Sequence, residues 1–253
     1  MIKIFRNIRK QFIKDGKTSS YLKYAIGEIA LVVIGILLAL QINNWNEQSK
    51  KNDLREKYLL SLIEDLKQDT TLVKSQYSFY KNDTIKLQSQ IRRIKKYKNS
   101  IDTVKKIARY EFDTNIQLIT TFSNKTYQTL INTGNIDLVD PWLVEELSKL
   151  DQLQKLVIDI YSLSMRSYSQ ILGIYNQRYP FYDDALAGDV LDVIWEQADD
   201  KHFLANYNEI VSSKQTTANN IIQMLPPMYS QTARLLKRIE ASYPDLFIKK
   251  NSK

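Results

Sequence analysis

The dominant pattern in the chain is one unbroken apolar run. Tyr24 to Ile42 is 19 residues with one acid, Glu28, and one amide, Gln41, and nothing from Ile29 to Leu40 carries a polar side chain. At helical rise the run covers roughly 28 Å, close to the ~30 Å hydrocarbon thickness of a bilayer. A helix in a soluble core keeps a polar side over such a length, and this run does not. It is also longer than the apolar stretch of a cleaved signal, and no small-residue cleavage site follows it. The pattern predicts an uncleaved signal anchor crossing a membrane once. Tyr24 and Trp45, one ring at each end, are the expected interface anchors.

Beyond Trp45 the pattern becomes helical and amphipathic. Leu59, Leu62, Leu66, Thr70, Val73, Tyr77, Tyr80, Thr84, Leu87, Ile91 and Ile94 recur in steps of three and four, a heptad seam from Thr70 onward. The spacing predicts one long helix over 45–98. Its seam would face either the core of a bundle or a second copy in a parallel coiled coil. The stretch 100–140 is less regular. Phe112 to Phe122 is polar and β-branched and reads as a loop or extended piece. Asn124 is placed to cap a short helix ending near Asn132, with Gly134 as its left-handed stop, and Ile136 to Val139 alternates like an extended link. Asp140-Pro141 is a cap followed by proline at the first helical position, opening a second long helix to about Tyr179. Its expected buried side runs through Leu143, Leu147, Leu150, Leu153 or Leu156, Ile160, Leu163, Tyr168, Ile171 and Tyr175. A short helix from Asp189 to Gln197 precedes a third long helix over 200–242, where Pro226-Pro227 should kink or break the chain. The expected fold is all-α: a basic tail over 1–23, a single transmembrane helix over 24–42, and an antiparallel bundle of long helices over 43–253.

Charge orients this arrangement. Residues 1–23 carry seven cations (Lys3, Arg6, Arg9, Lys10, Lys14, Lys17, Lys23) against Asp15, and the twenty residues after Ile42 carry four. Counting only Lys and Arg, the N-terminus belongs in the cytoplasm and the bundle in the periplasm of an inner-membrane protein. Ile4 or Phe5, Ile8 and Phe12 give the tail an apolar side suited to lying on the inner leaflet. Most of the net charge of +8 sits there, so the basicity points to the lipid bilayer as a partner and not to nucleic acid. The chain has no cysteine, which excludes disulfides and thiolate metal sites.

Candidate contacts lie in two places. In the span, Glu28 reaches either the headgroups or another span, Gly35 and Ala39 form a small-xxx-small pair, and Gln41 adds an amide. At the far end of the first bundle helix, Arg92, Arg93, Lys95, Lys96 and Lys98 form a solvated basic face or a site for an anionic partner. Asp183, Asp184 and Asp189 lack EF-hand spacing and read as capping or solvent-facing acids. His202 is the only histidine, and no catalytic or phosphate-binding motif occurs. No catalytic, cofactor or metal site is expected. The sixteen tyrosines read mainly as core and boundary residues.

Gly27 to Glu47, GEIALVVIGILLALQINNWNE, resembles the signature segment of an uncharacterised family of small single-span bacterial envelope proteins. Thr126 to Asp140, TYQTLINTGNIDLVD, resembles that family's second recurring segment. The resemblance implies a basic start, a span and a mostly helical region. It implies no activity, cofactor or site residue. The functional expectation is a membrane-anchored, non-enzymatic interaction or scaffold module acting with a protein partner or as a homo-oligomer. The alternative is a sensory or ligand-binding bundle working through a partner.

Overall fold

The computed structural model describes residues 18–96, 100–119, 121–181 and 189–246. Among them there are helices and irregular connections but no strand. The chain divides into two units, 1–57 and 58–253. Helix α1 (Thr18–Lys96) belongs partly to each and is one continuous element of 79 residues, so the apolar run and the heptad seam are joined without a break. The expected basic tail falls almost wholly outside the described residues.

Within the first unit the apolar side chains of the helix are bare. Ile29 is 64 % exposed, Leu38 60 % and Ile42 66 %. In water each would forfeit roughly 1.5–3 kcal/mol of the gain available from burial, so the surface calls for an apolar surrounding.

The second unit is a bundle of three long helices: the part of α1 from Tyr58 onward, α4 (Pro141–Asn176) and α6 (Asp200–Ser242). Its fourth side is built from pieces: α2 (Ile101–Tyr110), an irregular strap over 112–124, and α3 (Lys125–Asn132). Helix α5 (Asp189–Glu196) leads into α6. The core is stacked in three layers, each with a contribution from all four sides. Leu62, Leu130, Leu143 and Ile239 meet in the first, Val73, Phe122, Tyr161 and Ile221 in the second, and Leu87, Ala108, Tyr168 and Phe203 in the third. The fully buried members of the heptad seam, from Leu59 to Leu87, all lie in this interior, so the seam serves the chain's own bundle.

The local signals explain most helix ends. Asn124 and Asp140 occupy the N-cap positions of α3 and α4, with Pro141 opening α4. Neither side chain caps its own helix. Asn124 donates to Asp151 at 3.0 Å, and Asp140 accepts from the Tyr243 hydroxyl at 2.6 Å. Gly134, the one residue at positive φ among those described, takes φ +70° just after α3, a conformation a Cβ would strain.

Three expectations need correction. Ile136 to Val139 is not extended: Asn135–Leu138 is a 3-10 helix. That period also puts Ile136 and Val139 on one side, and both pack into the first layer. Pro226-Pro227 does not break α6, which continues to Ser242. Leu225 and Met228, 1 % and 0 % exposed, pin the helix on both sides of the prolines, so packing offsets the missing donors. The buried side of α4 holds the expected Leu143, Leu147, Leu150, Tyr168 and Tyr175 and departs from expectation only in its middle. Leu156 and Leu163 are 53 % and 69 % exposed, while Gln154, Val157 and Tyr161 are buried.

Candidate functional site

Of the residues singled out in the span, Glu28, Gly35 and Ala39 share one side of the helix and Gln41 does not. Glu28 and Gly35, seven apart, lie within about 20° of each other around the helix, and Ala39 continues beside Gly35. Gln41 points roughly 140° away from Glu28. A Cβ added at Gly27 or Gly35 would meet nothing within 4 Å, so that face is open. Trp45 is 76 % exposed. The Tyr24 side chain lies outside the described set.

The basic cluster is likewise divided. Arg92, Lys95 and Lys96 are exposed. Arg93 turns to Glu111 in a two-pronged ion pair whose second hydrogen bond is 2.9 Å, and Gln90 donates to the Glu111 carbonyl. That pairing secures the end of α1 to the start of the strap and takes Arg93 out of any free anion site. Lys98 lies outside the described residues, as do Asp183 and Asp184.

Sequence reasoning missed the polar interior. Lys214, 2 % exposed, donates to Asp83 at 2.9 Å and also to the Asp113 carbonyl. Asp83 Oδ2 has no partner. Burial pushes the Asp83 carboxyl above its ordinary range, opposed by the Lys214 ammonium. The same construction holds the rest of the strap. Tyr80 and Tyr161 both donate to the Gln117 carbonyl, Tyr80 at 2.7 Å, and Tyr168 donates to the Thr114 carbonyl at 3.1 Å. The strap's backbone acceptors, which no helical ladder serves, are thus met by side chains of the long helices. Burial raises the tyrosine hydroxyls above their ordinary pKa, Tyr80 and Tyr168 most clearly.

A second knot secures the junction of strap and α3. Asp69, 1 % exposed, accepts from the Ser123 backbone N–H and from Gln154, both at 2.7 Å. Asp65 accepts from the Thr126 N–H at 3.0 Å. Both carboxylates sit at the N-terminal end of α3, where its unpaired N–H groups favour negative charge. Burial carries the Asp69 pKa up to about 6 against the lowering effect of its donors. The cavity between them, about 20 Å³ and also lined by Asp151, has room for about one water molecule. Among the described residues no group of His, Cys, Asp and Glu is placed to hold a metal.

Among the open clefts, two have polar linings. One lies between α2 and α5, where Arg109 meets Asp192 at 2.6 Å and its guanidinium faces Trp195. Two of its cations are engaged in ion pairs, Arg109 with Asp192 across the cleft and Lys105 with Asp200 beside it at 2.9 Å. The other is a groove of about 580 Å³ between α4 and α6. Its lining is different in kind: serine, threonine and asparagine from both helices, and no cation.

Comparison with known proteins fits this layout. A model for a family of unknown function, DUF6090, matches residues 28–186. The chain belongs to that family. The matched region takes in α1 from Glu28 onward, the strap with its Asp65/Asp69 knot, and α4, but not Lys214. Neither the curated proteins nor the solved structures contain a significant match. Helix α1 is long and apolar enough in its first part to cross a membrane.

Proposed function

We propose that this protein is a membrane-anchored, non-enzymatic interaction or scaffold module of the bacterial cell envelope. In this reading the N-terminal tail is cytoplasmic, α1 crosses the inner membrane once, and the bundle is periplasmic. The observation that carries the proposal is the uniform exposure of apolar side chains from Ile29 to Ile42, set against a bundle whose own core is closed. The cation asymmetry across the span supports the orientation. The open Gly27/Gly35 face supports a helix-helix contact in the bilayer. A non-enzymatic role is favoured because His202, the only histidine, is a 79 % exposed helix-start residue whose backbone N–H is capped by Asp199.

Two measurements test the reading. A reporter active only outside the cytoplasm, fused after Lys253, should be active; activity from a cytoplasmic reporter instead reverses the orientation. Extraction in mild detergent should yield the chain with a second polypeptide at fixed ratio or as a homo-oligomer. A lone monomer would overturn the scaffold role.

A second reading, a ligand-binding bundle that signals through a partner, is favoured by one specific feature. The groove between α4 and α6 is lined by polar side chains that the fold itself does not use.

A further inference from the structure

The α4–α6 groove is chemically uniform. Ser164 and Ser167 line it from α4, and Ser213, Thr216 and Thr217 from α6, with Glu209 as its one charged group. Several helical threonines elsewhere, unlike Thr84, whose hydroxyl has no partner, return their hydroxyls to the backbone one turn earlier, as Thr71, Thr129 and Thr232 do at 2.8–2.9 Å. None of the groove hydroxyls does so, and none has a hydrogen-bond partner among the described residues. Thr217 is the decisive member. It is 3 % exposed, it lines the groove, and its hydroxyl is unpartnered. That hydroxyl is not one of the fully enclosed unpartnered atoms, so the little access it keeps opens to the groove it lines.

The lining excludes several ligand classes. With no Lys, Arg or His on it, the groove offers no counter-charge to a phosphate, an acidic lipid or a nucleic acid. Leu163 and Ile171 are its only aliphatic members, too little apolar surface to enclose an acyl chain. What remains is a ligand that needs many neutral donors and acceptors and a few aliphatic contacts. A hydroxyl both gives and accepts a hydrogen bond, as do the amides of Asn208 and Asn220. A carboxylate such as Glu209 accepts from two adjacent ligand hydroxyls. Side chains on two long packed helices are held in place before any ligand arrives.

We infer that the α4–α6 groove is a binding site for a neutral carbohydrate, with Thr217 donating at its floor and Glu209 bridging vicinal hydroxyls at its rim. The inference rests on the ligand-binding reading above and names its ligand class.

The test uses the full chain in phosphocholine nanodiscs, free of sugar-based detergent. Saturation-transfer NMR is run with maltoheptaose, cellohexaose and chitohexaose, and with heparin as a polyanion. At least one neutral oligosaccharide should give a saturable signal. Thr217→Val, which keeps the shape and removes the hydroxyl, should weaken it about tenfold. Ser213→Trp, which fills the groove, should abolish it, and both variants should keep the parent's helicity and unfolding midpoint. No saturable signal from any of the three sugars overturns the inference, as does binding that both variants leave intact. A saturable heparin signal lost in Ser213→Trp, with none from the neutral sugars, would overturn the neutral-ligand assignment while leaving ligand binding standing. A co-purifying protein that cross-links to the groove would instead return the site to the scaffold role.

Discussion

Lys214 Nζ lies 2.9 Å from Asp83 Oδ1, with the two side chains 2 % and 9 % exposed. The pair joins α6 to α1, and the same ammonium holds the strap at the Asp113 carbonyl. Removing one partner leaves the other charge buried, a loss of about 3–5 kcal/mol. Lys214→Met should therefore unfold at much lower denaturant than the parent. Asp83→Leu combined with Lys214→Met should recover most of that loss. A double variant no better than the single would show that the strap contact, and not the ion pair, dominates.

Asp69 supplies a pH signature. Its carboxyl titrates at about 6 in the fold against 3.8 ordinarily, so the folded state holds its proton more tightly than the unfolded one. The stability this confers is complete below pH 3.8 and is lost as pH rises through 6. Asp69→Asn keeps an acceptor for the Ser123 N–H, and Gln154 can turn its amide to match. The stability of the variant relative to the parent should rise between pH 4 and pH 7, by on the order of 3 kcal/mol at most. Chemical denaturation of both proteins at the two pH values reads this directly; a constant difference would contradict the assigned pKa.

The Gln117 carbonyl has two hydroxyl donors, from Tyr80 and Tyr161. Each Tyr→Phe change alone leaves one donor and should cost about 1 kcal/mol. The double change leaves a part-buried carbonyl with neither and should cost more than the sum. Amide exchange across the strap should rise most in the double variant.

Helix α4 carries two apolar stripes, and only one is structural. Leu163→Lys and Leu156→Lys should move the unfolding midpoint little, within about 0.5 kcal/mol. Leu143→Ala, at a site with 0 % exposure, should cost about 2–5 kcal/mol. If Leu163→Lys proved equally damaging, the outward placement of the middle of α4 would be wrong.

That second stripe shows where sequence reasoning ran out. Helix ends were legible because they are written in local chemistry: Asp140-Pro141, Asn124 and Gly134 act within a turn of themselves. The face of α4 in its middle, from Leu153 to Leu163, was not. Its apolar stripes have similar strength in sequence, and the choice between them was made by Gln154 and Asp151, which turn inward to meet Asp69 and Asn124. A polar residue that selects the buried side leaves no mark in a hydrophobic periodicity. Lys214 was unreadable for the same reason, since a lysine is buried only where partners elsewhere in the chain are waiting. The groove on α4 and α6 is faint in sequence too, because serines and threonines on helices usually mark nothing but solvent. The apolar run needed no tertiary information, because its length and lack of polar residues suffice.

The strap has a consequence for how the bundle comes apart. Three walls are helices that satisfy their own backbones, whereas the fourth depends on tyrosine, lysine and aspartate side chains reaching out from them. That wall can detach without unwinding any long helix. This construction predicts two tiers of cooperativity: an opening that bares the interior along 112–124, and a global melting above it. Any partner or protease that reads the bundle through this side acts on the first tier, at a free-energy cost set by the strap's polar contacts and its buried Phe112, Ile119 and Phe122 and not by the stability of the whole.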